Sequence, residues 1–541
     1  MSDAPWWRGA VIYQIYPRSF LDTDGDGVGD LPGIVERLDY VAALGVDAIW
    51  IAPFFKSPMA DFGYDIADYR DVDPLFGTLA DFDRLLDKAH RLGLKVMIDQ
   101  VLSHTSAEHE WFRESRQSRD NPKAEWYVWA DARPDGTPPN NWLSLFGGSA
   151  WQWEPRRGQY YLHNFLASQP DLNFHHADVR AASLDNVRFW LDKGVDGVRL
   201  DAINFCFHDR QLRDNPSKPS DQRVGRGFSP ANPYAFQYHY YNNTQPENLA
   251  FLGELRTLMD GYPDVAALGE ISSEDSLATM AAYTARGRLH MGYSFELLTD
   301  DFSAAHIRDT VCQLEAQMIE GWPCWAISNH DVERVLTRWG NGDASAPLAN
   351  LFTAMVCSLR GSVCVYQGEE LGLTEADVPY ESLRDPYGIA FWPQFKGRDG
   401  CRTPMPWSNV DVQAGFSHGM PWLPVPEEHR ALAVTQQQAD PHSVLNGFRA
   451  FMHWRQKHPA LRWGDIEFVE TAEPVLAFVR RLDGEVLLVM FNLGAVAIDL
   501  RLPPLPGTNR ITIEGHGLQA GSLRGDVLHL PGHGAWFARL D

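Results

Sequence analysis

Short apolar runs alternate with segments of helical spacing through most of this chain. Val11–Arg18, Ala48–Phe54 and Lys95–Leu102 read as buried strands. Between them, Leu31–Leu44 and Leu79–Leu92 repeat apolar residues at helical intervals. After His104 the rhythm stops. Residues rich in Trp, Asn, Pro and Gly follow until about Phe174, a stretch too long for a plain loop. The alternation then resumes. Helical Val179–Lys193 precedes a strand ending at Asp201, and Glu247–Met259 precedes one ending at Glu270. Leu289–Leu297 reads as a strand, His306–Ile319 as a helix before the strand Cys324–Asp331. Leu348–Leu359 leads to Val363–Gln367, and Val444–Lys457 is the last helix. Eight such units predict a closed (β/α)8 barrel of parallel strands. From about Leu461 the pattern changes to short alternating strands: VLAFVRRL, VLLVMFNL, AIDLRL, ITIEG and AWFARL. The expectation is an α/β chain in three parts: a barrel from residues 1–104 and 175–460, an inserted loop-rich domain at 105–174, and a sandwich-like antiparallel β domain at 461–541.

Asp201, Glu270 and Asp331 each close an apolar strand. A buried carboxylate is costly unless it is paired or hydrogen-bonded. In a parallel barrel the C-terminal strand ends carry the chemistry. Asp99 and His104 bound the stretch DQVLSH at the end of the third strand. Arg199 lies two residues before Asp201, on the same strand face. His330 adjoins Asp331. Taken singly, a strand-end Asp is often a helix cap and a buried His a core residue. Taken together, a structural reading of them needs five independent coincidences, which points to a site, and paired carboxylates are the machinery of glycoside hydrolysis.

Charge and cysteines narrow the partners. Among 541 residues, 71 acidic groups face 47 basic ones, a formal charge of −24. That disfavours nucleic acid and anionic membranes and suits a neutral substrate. No run of 18 apolar residues predicts a membrane span. The start, MSDAPWWRGA, does not read as a secretory signal. Six cysteines without CxxC spacing read as free thiols in a reducing cytoplasm. The sequence does not set the oligomeric state. GxSxG, HExxH and Walker motifs are absent.

The loop Asp22–Asp30, DTDGDGVGD, places carboxylates at Asp22, Asp24, Asp26 and Asp30, with the Val28 carbonyl between them. It has the glycine of a calcium loop at its sixth position but no twelfth-position Glu, so it is not an EF-hand. A structural Ca²⁺ is expected, with Mg²⁺ the rival, and no organic cofactor.

DQVLSH, GVDGVRLDA, LGEIS and SNHD, in this order, resemble the four signature regions of the α-amylase superfamily of retaining glycoside hydrolases. QPDLN (169–173), FGYDIADY (62–69), GSVCVYQGEE (361–370) and GRDGCRTPMPW (397–407) are similar to its α-glucosidase and oligo-1,6-glucosidase branch. The resemblance spans essentially the whole chain. It implies Asp201 as nucleophile, Glu270 as acid/base and Asp331 as transition-state stabiliser. It implies a glucose pocket of Asp61, Tyr64, His104, Phe165, Arg199, His330 and Arg398, and a divalent ion in the Asp22–Asp30 loop. Ser103 stands where many members carry a calcium-ligating Asn, so the amylase-type calcium site is not carried over. The implied activity is exo-acting α-glucosidase action on α-1,4-linked maltose and short α-glucosides, with transfer of glucose to alcohols or sugars. An isomerase acting on trehalose or sucrose would share these residues. A catalytically silent transporter subunit, a third reading, usually lacks the carboxylates. In this branch Val at position 202 goes with α-1,6 cleavage; Ala202 therefore implies α-1,4 preference.

Overall fold

The computed structural model describes residues 4–223, 231–502 and 510–540. Eight parallel strands close into a barrel in chain order. They are β1 (Val11–Ile15), β2 (Ala48–Ile51), β3 (Lys95–Val101), β4 (Gly197–Asp201), β5 (Ala266–Glu270), β6 (Met291–Ser294), β7 (Pro323–Ala326) and β8 (Ser362–Tyr366). Eight helices follow or separate them: α1 (Leu31–Ala43), α2 (Leu79–Arg91), α3 (Ala177–Asp192), α4 (Asn248–Met259), α5 (Ser276–Tyr283), α6 (Ala304–Gln317), α7 (Ala346–Ser358) and α8 (Val444–Arg455).

The strands are buried on both faces, which is why they read as continuous apolar runs. Alternation still divides them. Ile12, Trp50, Met97, Leu268, Met291, Tyr293 and Cys324 fill the barrel interior. Their neighbours Tyr13, Ile49, Ile51, Val96, Ile98, Val198 and Ala267 belong to the larger cluster shared with the helices. The inward period continues to the C-terminal rim. There it places Asp99, Arg199, Asp201 and Glu270 on the same side, with Asp99 directly beside Arg199 in the β3–β4 register.

Between β3 and α3 lies a small antiparallel sheet of Trp129–Ala130, Gln159–Leu162 and Trp151–Glu154. It packs its own core around Trp142 and Trp151. Beyond the barrel, β9 (Asp465–Val469), β10 (Val475–Leu482), β11 (Glu485–Asn492), β12 (Ile498–Arg501), β13 (Arg510–Thr512), β14 (Ser522–Arg524), β15 (Val527–Leu530) and β16 (Ala535–Leu540) build two antiparallel sheets. Their orders are β9-β10-β11-β16-β13 and β12-β15-β14.

Two readings from the chain need correction. The seventh strand ends at Ala326, so Asp331 sits in the following loop rather than at a strand end. Helix α5 is not legible in the chain, because SLATMAAY is only two turns long and lacks a polar face. All six cysteines are free thiols. No helix among the described residues is long and apolar enough to cross a membrane.

Candidate active site

A cavity of about 590 Å³ opens at the C-terminal rim of the barrel. Asp201, Glu270 and Asp331 all line it, as do Asp61, Tyr64, His104, Phe165 and Arg398. The geometry is built around Arg199, which is almost wholly buried. Its Nη1 donates to Asp201 Oδ1 at 2.6 Å and to Asp99 Oδ1 at 2.9 Å. Its Nη2 lies 2.5 Å from Glu270 Oε1. One guanidinium thus bridges carboxylates on β3, β4 and β5. Its own planar fork fixes their orientation.

The chain kinks directly after Asp201. Ala202 adopts a left-handed conformation, φ 40° and ψ 44°, uncommon for a residue with a side chain. The kink aims the Ala202 N–H at Glu270 Oε2, 2.9 Å away. Backbone strain of this kind costs about 1–3 kcal/mol and is concentrated at functional sites. Glu270 is pushed well above the usual carboxylate range. Burial is the main cause and the neighbouring Asp201 adds to it, while Arg199 and the Ala202 N–H pull the other way. Burial raises Asp99 as well, against the pull of Arg199.

Asp331 goes in the other direction. Burial by itself would raise it, but His330, Arg398 and Arg402 together hold it well below the usual range. His330 is itself driven down to about 3 by burial, so it is neutral near pH 7 and the two arginines carry the effect there. Arg402 Nη2 donates to Asp331 Oδ1 at 2.7 Å and Arg398 Nη1 to the same oxygen at 3.1 Å. Arg402 Nε also holds the His330 carbonyl at 2.6 Å. Tyr64 lies parallel to the His330 ring, centroids 5.4 Å apart, and its hydroxyl is 2.6 Å from His330 Nε2.

Asp61 and Arg398, which both line the pocket, are paired at 3.0 Å. Asp385 receives a second contact from the same Arg398 Nη2 at 2.8 Å. Burial lifts Asp61 to about 6 even though Arg398 opposes it. Gln169 Nε2 donates to Asp61 Oδ2 at 3.1 Å. His104 Nε2 donates to the Tyr64 carbonyl at 3.1 Å, and Ser103 Oγ supports its Nδ1 at 3.0 Å. Burial takes His104 down to about 4, leaving it neutral. Phe165 packs on His104 with centroids 4.9 Å apart.

Every pocket residue named from the sequence therefore gathers in one place. Three that were not named join them, Gln169, Asp385 and Arg402, and Asp99 of DQVLSH is the third acid on Arg199. Asp99, Gln169 and Arg402 lie inside quoted motifs. Asp385 lies in no motif quoted above, and only the fold brings it to Arg398.

Outside the pocket, the Asp22–Asp30 loop folds on itself. Asp22, Asp24 and Asp30 bring one carboxylate oxygen each within 4.8 Å of one another. Asp26 stands outside this cluster, its Oδ1 accepting the Val28 N–H at 2.7 Å, and the Val28 side chain is buried in the core. Gly27 takes φ +92°, and a Cβ there would strike the Met420 carbonyl at 1.9 Å. The three clustered oxygens are hard donors of the kind Ca²⁺ and Mg²⁺ take, and none is ion-paired to a described Lys or Arg. The residues fit such an ion, although Asp22 and Asp30 also accept several backbone N–H groups of the loop.

Comparison with known proteins identifies the family. The alpha amylase catalytic-domain family matches residues 14–464. A probable alpha-glucosidase of Rhizobium meliloti (strain 1021) is 55% identical over 99% of this chain and 98% of its own. An oligo-1,6-glucosidase of Heyndrickxia coagulans is 38% identical over 92% and 94%. Among solved structures, the alpha-glucosyl transfer enzyme XgtA superposes with a TM-score of 0.98 at 69% identity, covering 100% of both chains. The trehalulose synthase MutB from Pseudomonas mesoacidophila MX-45 superposes with 0.89 at 33%, again over 100% of both. The chain belongs to the α-amylase family and is a glycoside hydrolase.

Proposed function

We propose that this protein is an exo-acting, retaining α-glucosidase that also passes glucose to small acceptors. The observation that carries the reading is the shared Arg199 clamp. Asp201 and Glu270 each lie within hydrogen-bond reach of the same guanidinium. That span suits the spacing of about 5–5.5 Å used by retaining pairs. Asp201 attacks the anomeric carbon of the terminal glucose. Glu270, kept protonated by burial, gives its proton to the departing glycosidic oxygen. The products of this step are a glucosyl ester on Asp201 and the free aglycone. Glu270, now a base, deprotonates water or an alcohol that attacks the same carbon and restores Asp201. Asp331, held ionised by Arg398 and Arg402, faces the positive charge that develops on the sugar.

The exo reading rests on Arg398 and its partners. The ion pairs of the Asp61–Arg398–Asp385 cluster support a block to a longer chain beyond the first glucose. On the acid/base side the pocket lining continues from Ala202 to Gln313 on α6. It leaves the acceptor path accessible to water and alcohols, which favours hydrolysis and transfer over an isomerase that must retain the leaving sugar. Likeness to XgtA supports the transfer part of this reading. The likeness to a trehalulose synthase supports the isomerase as the rival. Ala202 supports α-1,4 preference. The Asp22, Asp24 and Asp30 cluster is assigned to a structural Ca²⁺, with Mg²⁺ the alternative.

A substrate panel tests the reading. Maltose, isomaltose, sucrose, trehalose and starch should rank with maltose first and starch last. Glucose should be the product, with glucosides of an added small alcohol appearing alongside. Rapid internal cleavage of starch, or conversion of sucrose to a rearranged disaccharide without free glucose, contradicts it.

A further inference from the structure

The acid/base side of the pocket is distinctly acidic. Glu274, Asp275 and Glu296 line it, together with Lys218, while Arg398 is committed to Asp61, Asp331 and Asp385. Lys218 is the only Lys or Arg among the described residues lining that outer part. It is not free. Its Nζ lies 2.8 Å from Glu274 Oε2, and both side chains are largely shielded, at 15% and 21% exposure. The second Glu274 oxygen accepts the His239 N–H at 2.9 Å. Glu274 sits four residues past Glu270, on the loop that leads from β5 into α5. It therefore ties the segment carrying Lys218 and His239 to the rim beside the acid/base candidate.

We propose that Glu274 sets the charge selectivity of the aglycone side: by neutralising Lys218 it makes this side accept neutral leaving groups and acceptors and reject sugar phosphates. The inference rests on the glucosidase reading above. A phosphorylated aglycone entering here meets a spent cation and two further carboxylates, Asp275 and Glu296. Like charges brought together in a partly dehydrated cleft repel more strongly than in water. The overall charge of −24 repels an approaching dianion as well. Rejection through misplaced charge is an ordinary way to gain specificity.

The test compares kcat/KM on maltose with that on maltose phosphorylated at O6 of its reducing glucose. The wild-type protein should favour maltose by about tenfold or more, the weight of one partly screened charge contact. Glu274→Gln preserves the side chain's size, removes one negative charge and releases Lys218. Its preference should move toward the phosphorylated sugar by about tenfold. Adding Lys218→Met to that variant should remove most of the gain, because no freed cation then remains. Lys218→Met alone should deepen the preference for maltose. An unchanged ratio in Glu274→Gln, or equal use of the two sugars by the wild type, overturns the proposal. Failure of the wild type to cleave maltose or any other neutral α-glucoside would instead refute the glucosidase reading. In that event calorimetric titration with glucose and glucose 6-phosphate still decides the charge question, since equal affinities overturn it.

Discussion

Asp99, Asp201 and Glu270 face a single guanidinium, that of Arg199. One positive charge does not balance three buried acids, so burial keeps a proton among them. Glu270 is raised by burial. The sign for activity follows: the acid works only while protonated, so rate falls as pH rises through its elevated value. The alkaline limb of kcat/KM against pH should lie clearly above the ordinary glutamate range. Glu270→Gln should remove that limb and lower kcat on maltose by about 10²–10⁴-fold. Added azide should restore turnover of a nitrophenyl glucoside, whose leaving group needs no proton. An unaltered alkaline limb in Glu270→Gln would assign the proton to another group. Ala202 gives a second test. Its left-handed backbone resists a β-branched side chain, so Ala202→Val should cost about 1–3 kcal/mol by thermal melting. The same change should raise the isomaltose-to-maltose ratio of kcat/KM, and an unchanged ratio would move linkage choice elsewhere. The chain shows Ala202 as a small residue after a carboxylate. Its backbone conformation and its bond to Glu270 depend on a neighbouring strand and are not legible there.

At the scale of elements, the strands were readable because both their faces are buried, giving apolar runs with abrupt polar ends. The ends themselves were less so. β7 stops at Ala326, and Ile327–Asp331 leaves the ladder, with Asn329 bridging Val332 and capping the Asp331 N–H at 2.8 Å. Apolar character alone does not distinguish that exit from one more turn of strand. The contacts between elements are also invisible in sequence. Arg480 on β10 is fully buried and gives its guanidinium to the carbonyls of Ser358 and Leu359 at the end of α7, and to Leu461 and Gly464. It fastens the C-terminal sheets to the barrel by satisfying carbonyls that a helix end leaves open. Arg480→Ala strands those carbonyls and should lower stability by about 3–5 kcal/mol in a denaturant melt. A loss below about 1 kcal/mol, the weight of an ordinary exposed contact, would show that the sheets are held by apolar packing alone.

Over the whole molecule, the acidic loop is remote from the chemistry in role but not in connection. Asp22 accepts from Ser417, and the Gly27 carbonyl accepts the Trp422 N–H at 2.9 Å. Trp422 packs on Phe62, next to Asp61, with centroids 5.4 Å apart. An ion bound to Asp22, Asp24 and Asp30 should therefore stabilise the fold. At a hundredfold excess over its dissociation constant it contributes about 2.7 kcal/mol. Chelation should lower the melting temperature and added Ca²⁺ restore it, with Asp22→Asn insensitive to both. Identical melts with and without chelator would leave the loop as a turn. The acidic spacing of this loop is visible in the chain, but which carboxylates converge depends on how the loop folds.

The central claim is double displacement through Asp201, and the stereochemistry of the first product reports on it directly. Proton NMR during the first minutes of maltose hydrolysis distinguishes the anomer released before mutarotation. Glucose from the non-reducing end should appear first as the α-anomer, with the configuration of the cleaved bond. Initial release of β-glucose would mean direct attack by water, and would contradict the assignment of Asp201 as nucleophile.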